Sequence, residues 1–401
     1  MASFPLPRLF AILLCLPICL VGCASLNYNS NKTDLSQLDT MVDEIRREPT
    51  PMVDHVKVRE VSPRLEEEEE LSLATLTPEK VGEQIAAGYY RMIGLDPNEA
   101  AAMASFKEGI ELFDAGKYDE AAKKFKIADL RAPNTPLQED AIFMRAESKF
   151  FAQRYAWAQT YYERLLKKYD STRYMDRVSP RLFDIGRYWD KQDQIQRFST
   201  VNVKDKERPT FDTYGNCLKA YKMIVLHDSR GLWADHALMA AANAEYLRGH
   251  YEYASMSYDQ LIKDYPQSKH LLQACELNLS SKLLCYEGPQ YDAKPLEDAE
   301  EIAQRLLSQF GMQLKPERKE AIRRTQDQIV EAKAERDMEY AKFYESKHYY
   351  GAAREYYTYV IQDYPQTATA SRAKEKFDRI KDYPAEPKDY FAWLKKVFPE
   401  Q

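Results

Sequence analysis

Small, aromatic and polar residues recur along most of the chain at the spacing of paired helices. The clearest copy of this pattern has its small and apolar positions at Gly109, Leu112, Ala121, Phe125, Ala128 and Pro133. Gly109 and Ala121 let two helices approach closely, Phe125 fills the space between them, and Pro133 ends the second helix. Residues 116–118 (Gly-Lys-Tyr) supply the turn between the two helices. The pattern therefore predicts a helix–turn–helix unit.

The pattern returns further along the chain with some drift. Three later copies have their turn and second-helix positions at Tyr155, Ala158, Tyr162 and Leu165; at Tyr251, Ala254, Tyr258, Leu261 and Pro266; and at Tyr350, Ala353, Tyr357, Val360 and Pro365. The phrase Asp-Tyr-Pro-Gln occurs twice, 99 residues apart, at 264–267 and 363–366. Less regular helix pairs are predicted at 176–196 with 212–228, around a polar insertion near 199–210, and at 270–286 with 295–310. Residues 316–346 predict one long helix, 368–382 a capping helix and 388–398 a short aromatic tail.

The spacing resembles the tetratricopeptide repeat, a two-helix unit of about 34 residues. This resemblance implies an all-α, right-handed solenoid of five to six units over residues 77–382, some of them degenerate, with a C-terminal tail over 383–401. Thr77, Pro78 and Glu79 predict the first helix start, and Gly94 its end. Asp96 is the predicted N-cap of the next helix, with Glu99 as its capping-box partner. A helical bundle with accidental similarity is the alternative, and the repeated phrases argue against it.

The N-terminal segment has a different pattern. An apolar run of 12 residues, 10–21, follows Arg8; it is too short for a membrane-spanning helix of roughly 20 residues but suits a signal peptide. The sequence Leu-Val-Gly-Cys at 20–23 resembles a bacterial lipobox. That resemblance implies that residues 1–22 are removed and that Cys23 is acylated, with palmitate among its chains; an ordinary secretory signal is the alternative. Ala24 in place of Asp implies, by the same resemblance, the outer membrane.

Residues 23–76 predict a flexible, disordered tether between the lipidated cysteine and the repeats. They are rich in Asn, Ser, Asp and Pro and include a run of five glutamates at 66–70. Like charges repel one another and keep such a segment solvated. Its end-to-end distance would be roughly 40 Å. A specific role for the glutamate run, in binding cations or a basic partner, is the alternative.

Composition agrees with a helical protein that does not bind nucleic acid. The chain has 13 glycines, 29 tyrosines and 30% charged residues, with a net charge of -6. Of the six cysteines, Cys15 and Cys19 lie within residues 1–22, so Cys217, Cys275 and Cys285 remain in the mature chain beside Cys23. If Cys275 and Cys285 share a helix, they lie about 15 Å apart, beyond the ~7 Å limit for a disulfide. All three are therefore expected to be small buried residues.

The chain carries no sequence signature of catalysis. The six histidines form neither H-x3-H nor H-E-x-x-H, and none accompanies cysteines at zinc-ligand spacing. G-x-S-x-G, Walker and Rossmann sequences are also missing from the chain. His250 and His348 fall in predicted turns. We therefore expect no catalytic residues, no metal site and no cofactor, and hence a protein that is not an enzyme.

In tetratricopeptide architecture, side chains of the first helix in each unit alternate between the core and a concave groove. On that geometry the candidates for partner binding are Phe106, Ile110, Phe113, Phe143, Glu147 and Phe150. An apolar groove with polar edges could hold an extended peptide or a helix. Packing between helices is the alternative role for the same residues.

The lipobox at 20–23, the turn sequence at 116–122 and the two Asp-Tyr-Pro-Gln phrases together resemble the BamD-like family of outer-membrane protein assembly lipoproteins. The resemblance implies a scaffold on the periplasmic face of the cell outer membrane, held in the lipid bilayer through acylated Cys23. Its partners would be a β-barrel assembly protein, bound through the C-terminal repeats, and other assembly components. Unfolded outer-membrane protein segments would use the N-terminal groove. The chain departs from the family in its length, acidic tether and extra units, so an adaptor in envelope, peptidoglycan, division or pilus assembly is the alternative.

Overall fold

The computed structural model describes residues 96–195, 202 and 205–387. The predicted signal peptide, Cys23, the tether, the helix from Thr77 to Gly94 and the aromatic tail at 388–398 lie outside these residues. Within them the chain forms thirteen α-helices. Their bounds are α1 Glu99–Asp114, α2 Tyr118–Arg131, α3 Pro136–Phe151, α4 Tyr155–Lys168, α5 Met175–Ile195, α6 Thr213–His227, α7 Ala234–Leu247, α8 Tyr251–Asp264, α9 Leu271–Cys285, α10 Lys294–Gln309, α11 Pro316–Ser346, α12 Tyr350–Asp363 and α13 Ala368–Ile380.

The helices pack as six consecutive pairs followed by a single helix. Each helix contacts the next in sequence, and α1 also touches α3, α5 touches α7 and α11 touches α13. We number the pairs units 1 to 6, from α1–α2 to α11–α12, with α13 covering the end. This stacking of helix pairs confirms the predicted all-α solenoid, including the two less regular pairs (units 3 and 5) and the long helix α11.

The second helices of all six units share one set of buried positions. One position in the first turn of each second helix is Tyr in five units and Leu296 in unit 5. The residues that follow it by three, seven and ten places are all almost completely buried: Ala121, Phe125, Ala128; Ala158, Tyr162, Leu165; Cys217, Tyr221, Ile224; Ala254, Tyr258, Leu261; Ala299, Ala303, Leu306; and Ala353, Tyr357, Val360. Spacings of three and four residues place them on one helix face.

Two glycines make room for the large ring in this set. A Cβ atom on Gly109 would lie 2.7 Å from the Phe125 ring, and one on Gly186 would lie 2.7 Å from Tyr221. Carbon atoms in contact prefer about 3.5–4.0 Å. The close approach of the two helices in units 1 and 3 therefore depends on the absence of a side chain at these positions.

The turns within four units are alike. Gly116, Gln153, Gly249 and His348 all have positive φ, between 57° and 80°. The residue after each donates its backbone N–H to a carbonyl five residues earlier, as His250 does to Glu245 at 3.0 Å. This is a helix C-terminal motif that favours glycine. Gln153 and His348 adopt the same backbone without that freedom.

The helix ends confirm part of the prediction and correct part of it. Asn98, rather than Asp96, caps α1, since its side chain accepts from the backbone N–H of Ala101 at 2.9 Å. Asn and Asp cap equally well, so position relative to the first helical turn decides between them. Cys217 and Cys275 are buried as predicted, whereas Cys285 is half-buried; none of the three forms a disulfide.

Candidate interaction site

The predicted groove residues of unit 1 lie mostly in its core. Phe106 is 5% exposed and meets Phe125 edge-on, with ring centroids 5.3 Å apart. Phe113 is 9% exposed and lies between Tyr118 and Phe151, at 5.2 and 5.5 Å. Ile110 is half-buried against the same core. Of the three residues, Ile110 keeps the most access to solvent.

The candidates in unit 2 lie at the contact with unit 3. Phe143 is fully buried and stacks on Tyr174, with ring centroids 3.9 Å apart. Glu147 is also fully buried and accepts hydrogen bonds from Tyr162 and, at 3.2 Å, from Arg181. Phe143 and Glu147 therefore offer no accessible side-chain surface.

Phe150 is half-buried beside Tyr155, and the Arg181 guanidinium lies 4.5 Å above its ring. Ile110 and Phe150 are the two candidate residues that a partner could contact without any change in the packing of the units. A partner-binding role for the six candidate residues stays a prediction.

A second group of aromatic residues is exposed to solvent at the other end of the array. Five rings from α11 and α12 form a continuous surface, which we call the α11–α12 aromatic face: Tyr340, Phe343, Tyr344, Tyr356 and Tyr359. Neighbouring ring centroids are 5.4–6.0 Å apart. Tyr340, Phe343 and Tyr359 are 43%, 55% and 51% exposed. Contiguous exposed aromatic surface of this kind marks interaction sites.

The aromatic face continues a stripe that is buried in the first half of α11. Ile322, Ile329, Arg336 and Phe343 follow one another at intervals of seven residues, so they lie on one side of the helix. Ile322 and Ile329 are buried in the core shared with unit 5. Phe343 lies past the end of that core, because α12 packs instead on the side that carries Ala334, Met338 and Ala341. The stripe therefore emerges from the fold without a neighbouring helix in the described part of the chain.

Two cations border this surface. Arg336 lies 5.9 Å from the centre of the Tyr340 ring, and Lys347 lies 5.9 Å from that of Phe343. At these distances the cations and the ring faces attract each other. The site is thus an apolar patch with a charged edge, where Arg336 also pairs with Asp337 at 3.6 Å. Sequence reasoning missed it because exposed and buried tyrosines cannot be told apart in a chain with 29 of them.

A third cluster joins units 4 and 5 through Asp235, His236 and His270. The Nδ1 atom of His236 lies 2.7 Å from Asp235 Oδ1, and the two imidazole rings meet edge to face at 4.7 Å. Ser268 Oγ donates to the other oxygen of Asp235 at 2.6 Å. Burial raises the pKa of Asp235, but the hydrogen bonds from His236 and Ser268 outweigh it, so the pKa falls to about 2. The carboxylate is therefore ionised at neutral pH.

Comparison with known proteins bears on the C-terminal half of the array. Residues 212–379 match the model of a family described as "YfiO: Outer membrane lipoprotein". The matched segment covers units 4 to 6 together with α6, and it contains the whole aromatic face. It is less than half of the chain.

Among solved structures, the C-terminal part of a TPR repeat-containing protein from Cytophaga hutchinsonii is similar at 10% identity. The alignment covers 74% of this chain and 95% of that one, with a TM-score of 0.29. At that score the likeness adds nothing to the fold derived from the helix contacts. No curated protein matches the chain. None of the described helices is both long enough and apolar enough to cross a membrane.

Proposed function

We propose that this protein is a non-enzymatic scaffold lipoprotein of the outer membrane that helps to assemble and insert β-barrel outer-membrane proteins. The match of residues 212–379 to an outer membrane lipoprotein family supports an envelope role. The lipobox sequence at 20–23 supports lipid anchoring through Cys23. Several acyl chains on one cysteine anchor a protein firmly to a bilayer, whereas a single chain does so only marginally.

The observation that carries this proposal is the α11–α12 aromatic face. It lies within the family-matched segment, in the C-terminal repeats where the resemblance to BamD-like proteins implies docking of a barrel assembly protein. Aromatic side chains contribute strongly to interface stability when a partner covers them. The rings favour a partner surface that is apolar at its centre, and Lys347 beside Phe343 favours an acidic group at that edge of the partner.

The N-terminal units would then hold the client. Ile110 and Phe150 are the accessible members of the predicted groove, so an unfolded outer-membrane segment would bind there by apolar contact. An adaptor of envelope, peptidoglycan, division or pilus assembly could use the same two surfaces. The partner that occupies the aromatic face distinguishes the two functions.

Native mass spectrometry of the lipidated protein, extracted in mild detergent from its own outer membrane, tests the proposal. We expect a stoichiometric complex with a β-barrel protein that has periplasmic domains. The triple variant Tyr340→Ser, Phe343→Ser and Tyr359→Ser should lose this partner. The matched control Trp157→Ser with Tyr253→Ser removes rings that are 56% and 62% exposed elsewhere and should retain it. Pilus or septal proteins in place of the barrel protein would instead establish the adaptor function.

Lipid anchoring has its own test. Cys23→Ser should move the protein from the membrane fraction to the soluble fraction and abolish incorporation of labelled palmitate. Cys285→Ser is the control, since Cys285 is a half-buried free thiol within the repeats. Retention of Cys23→Ser in the membrane without any lipid label would exclude the lipoprotein interpretation.

A further inference from the structure

The cluster of Asp235, His236 and His270 brings together groups that are the usual ligands of zinc. Asp235 and His236 lie in the first turn of α7, in unit 4, and His270 immediately precedes α9, in unit 5. One ligand atom from each residue can be chosen so that all three lie within 4.8 Å of one another. Two imidazoles and one carboxylate form a donor set that suits Zn²⁺ and leaves a fourth position for water.

The surroundings hold these groups in place. Ser268 Oγ donates to Asp235 Oδ2 and accepts from the backbone N–H of His270 at 3.1 Å, so one hydroxyl orients two of the three residues. Such outer hydrogen bonds commonly fix metal ligands. Trp233 and Phe183 form an apolar wall, with ring centroids 5.7 and 6.4 Å from that of His236.

The cluster is also open to solvent on one side. The side chains of Asp235 and His236 are 18% and 25% exposed, whereas His270 is 3% exposed. A cation could therefore reach the carboxylate and His236 without any helix moving. His270 would complete the site from the interior side.

The equivalent position between units 2 and 3 shows what is particular to this cluster. There Asp140 replaces His236, and it is paired with Arg173 and Tyr174. A cation from the protein itself thus closes that junction. At the junction of units 4 and 5, the residues that correspond to Asp140 and Tyr174 are His236 and His270, and two imidazoles can share a metal ion.

We propose that Asp235, His236 and His270 bind one divalent transition-metal cation, with Zn²⁺ as the preferred ion, and that this ion ties unit 4 to unit 5. The ion would replace the hydrogen bond between Asp235 and His236 with bonds from both residues to the metal. Because the ligands come from two units, binding stabilises the contact between them. This site is independent of the aromatic face and of the proposed envelope function.

Titration of the mature full chain with ZnCl2 alone tests the proposal by calorimetry and thermal unfolding. We expect one Zn²⁺ per chain and a higher Tm with zinc than with EDTA. His236→Gln and His270→Gln should each weaken zinc binding by about tenfold or more. His250→Gln is the matched control: His250 pairs with Glu245 at 2.9 Å, but no second imidazole completes that pair, and zinc binding should be unchanged.

X-ray absorption at the zinc edge on the unsubstituted chain keeps the test independent of whether the variants fold. Two imidazole ligands and at least one oxygen ligand are expected. Fewer than two imidazoles, or no binding of zinc by the intact chain, would overturn the proposal. Equal affinity of the unsubstituted chain and of correctly folded His270→Gln would overturn it as well.

Discussion

Residues 136–181 and residues 232–277 are built on the same skeleton, yet they differ in how their interiors are charged. Every position in the first segment, from α3 to the middle of α5, corresponds to the position 96 residues further on. Tyr155 corresponds to Tyr251, and Tyr169 to Tyr265. The ring pairs Phe150–Tyr155 and Tyr246–Tyr251 both have centroids 5.4 Å apart. The aromatic rings at positions 150, 155 and 169 are therefore repeated, whereas Phe143 and Tyr174 correspond to Met239 and His270.

The polar residues inside this framework are not repeated. In the first segment Tyr162 donates to Glu147, which also binds Arg181, and all three side chains are buried. At the corresponding positions of the second segment, Tyr258 donates to Asn243 at 2.7 Å, and the place of Arg181 is taken by Leu277. The junction of units 2 and 3 thus buries an ion pair where the junction of units 4 and 5 buries neutral groups.

The small and aromatic positions therefore determine how the units stack, whereas the buried polar residues can differ from one junction to the next. A buried ion pair loses hydration that its mutual attraction only partly recovers. A neutral hydrogen bond beside a leucine avoids that loss. The ion pair instead makes both residues necessary, because removal of either one leaves the other charge buried without compensation.

Glu147→Ala is expected to be the most damaging single change of this comparison. It leaves Arg181 buried without its carboxylate, and breaking a buried pair in this way costs about 3–5 kcal/mol. Asn243→Ala removes a neutral acceptor and should cost about 1–2 kcal/mol. Urea unfolding of the mature chain measures both. Equal decreases in the free energy of unfolding of the two variants would show that the buried charge of Arg181 adds nothing to the cost.

Replacing the buried ion pair of the first segment by the neutral residues of the second tests whether the helix packing depends on the charges. Glu147→Asn combined with Arg181→Leu gives units 2 and 3 the residues of units 4 and 5. We expect the double variant to recover about 2 kcal/mol or more relative to Glu147→Ala, since no unpaired charge remains. Additive losses from the two substitutions in urea unfolding would contradict this expectation.

Both segments have a hydrogen bond from a hydroxyl to a carboxylate of the preceding unit, and removal of the hydroxyl should destabilise the two junctions equally. Thr172 donates to Glu139 at 2.6 Å, and Ser268 donates to Asp235 at 2.6 Å. Hydrogen bonds to charged groups contribute about 1.5–3 kcal/mol. Thr172→Val and Ser268→Ala should therefore lower the free energy of unfolding by similar amounts, measured in EDTA. A decrease in the free energy of unfolding for only one of the two variants would show that the two hydrogen bonds do not contribute equally.

The smallest effect is expected from an exposed ion pair that the first segment makes with α2, whereas in the described part of the chain the second segment makes no such pair with α6. Hydrogen bonds from Arg154 and Lys149 lower the pKa of Asp119 to about 2. Because this pKa lies below the unfolded value, the contribution is present above pH ~4 and is lost as pH falls towards 2. The corresponding residues in the second segment are His250 and Glu245, and both contact the hydroxyl of Tyr214, at 3.4 and 2.5 Å.

Asp119→Asn should cost less than about 1 kcal/mol at pH 7, since the Asp119 side chain is 46% exposed and screened by solvent. The difference from the parent chain should shrink as unfolding is measured below pH 4 and at high salt. A difference that stays constant with pH and salt would contradict an electrostatic origin.

The sequence predicts the skeleton well because its determinants are local. The spacing from Tyr155 to Leu165 lies within one helix, and the bounds of α11 follow from a long run without Gly or interior Pro. The sequence predicts unit 3 as a pair of helices, but it does not reveal the buried positions around Tyr221 or the close approach of Gly186 to the Tyr221 ring. A polar insertion separates these two residues, so the usual spacing between first and second helix is lost.

The contacts between units could not be predicted, because they join residues far apart in sequence. Glu147 and Arg181, or His236 and His270, meet only once two units are stacked, and no spacing rule links them. Phe143 and Phe343 illustrate the same limit. Both are phenylalanines on first helices, but Phe143 stacks on a ring of the next unit, whereas Phe343 lies where packing switches to another side of α11.

Helix α11 also has a mechanical consequence. Its 31 residues form one continuous rod of about 46 Å, whose first half is packed in the core of unit 5 and whose second half carries the aromatic face. A loop between two elements absorbs torque by rotating its backbone, and α11 has none along this length. A force applied at Tyr340 or Phe343 would therefore be transmitted along the rigid helix to unit 5, so a partner that pulls on one end of the array also acts on its interior.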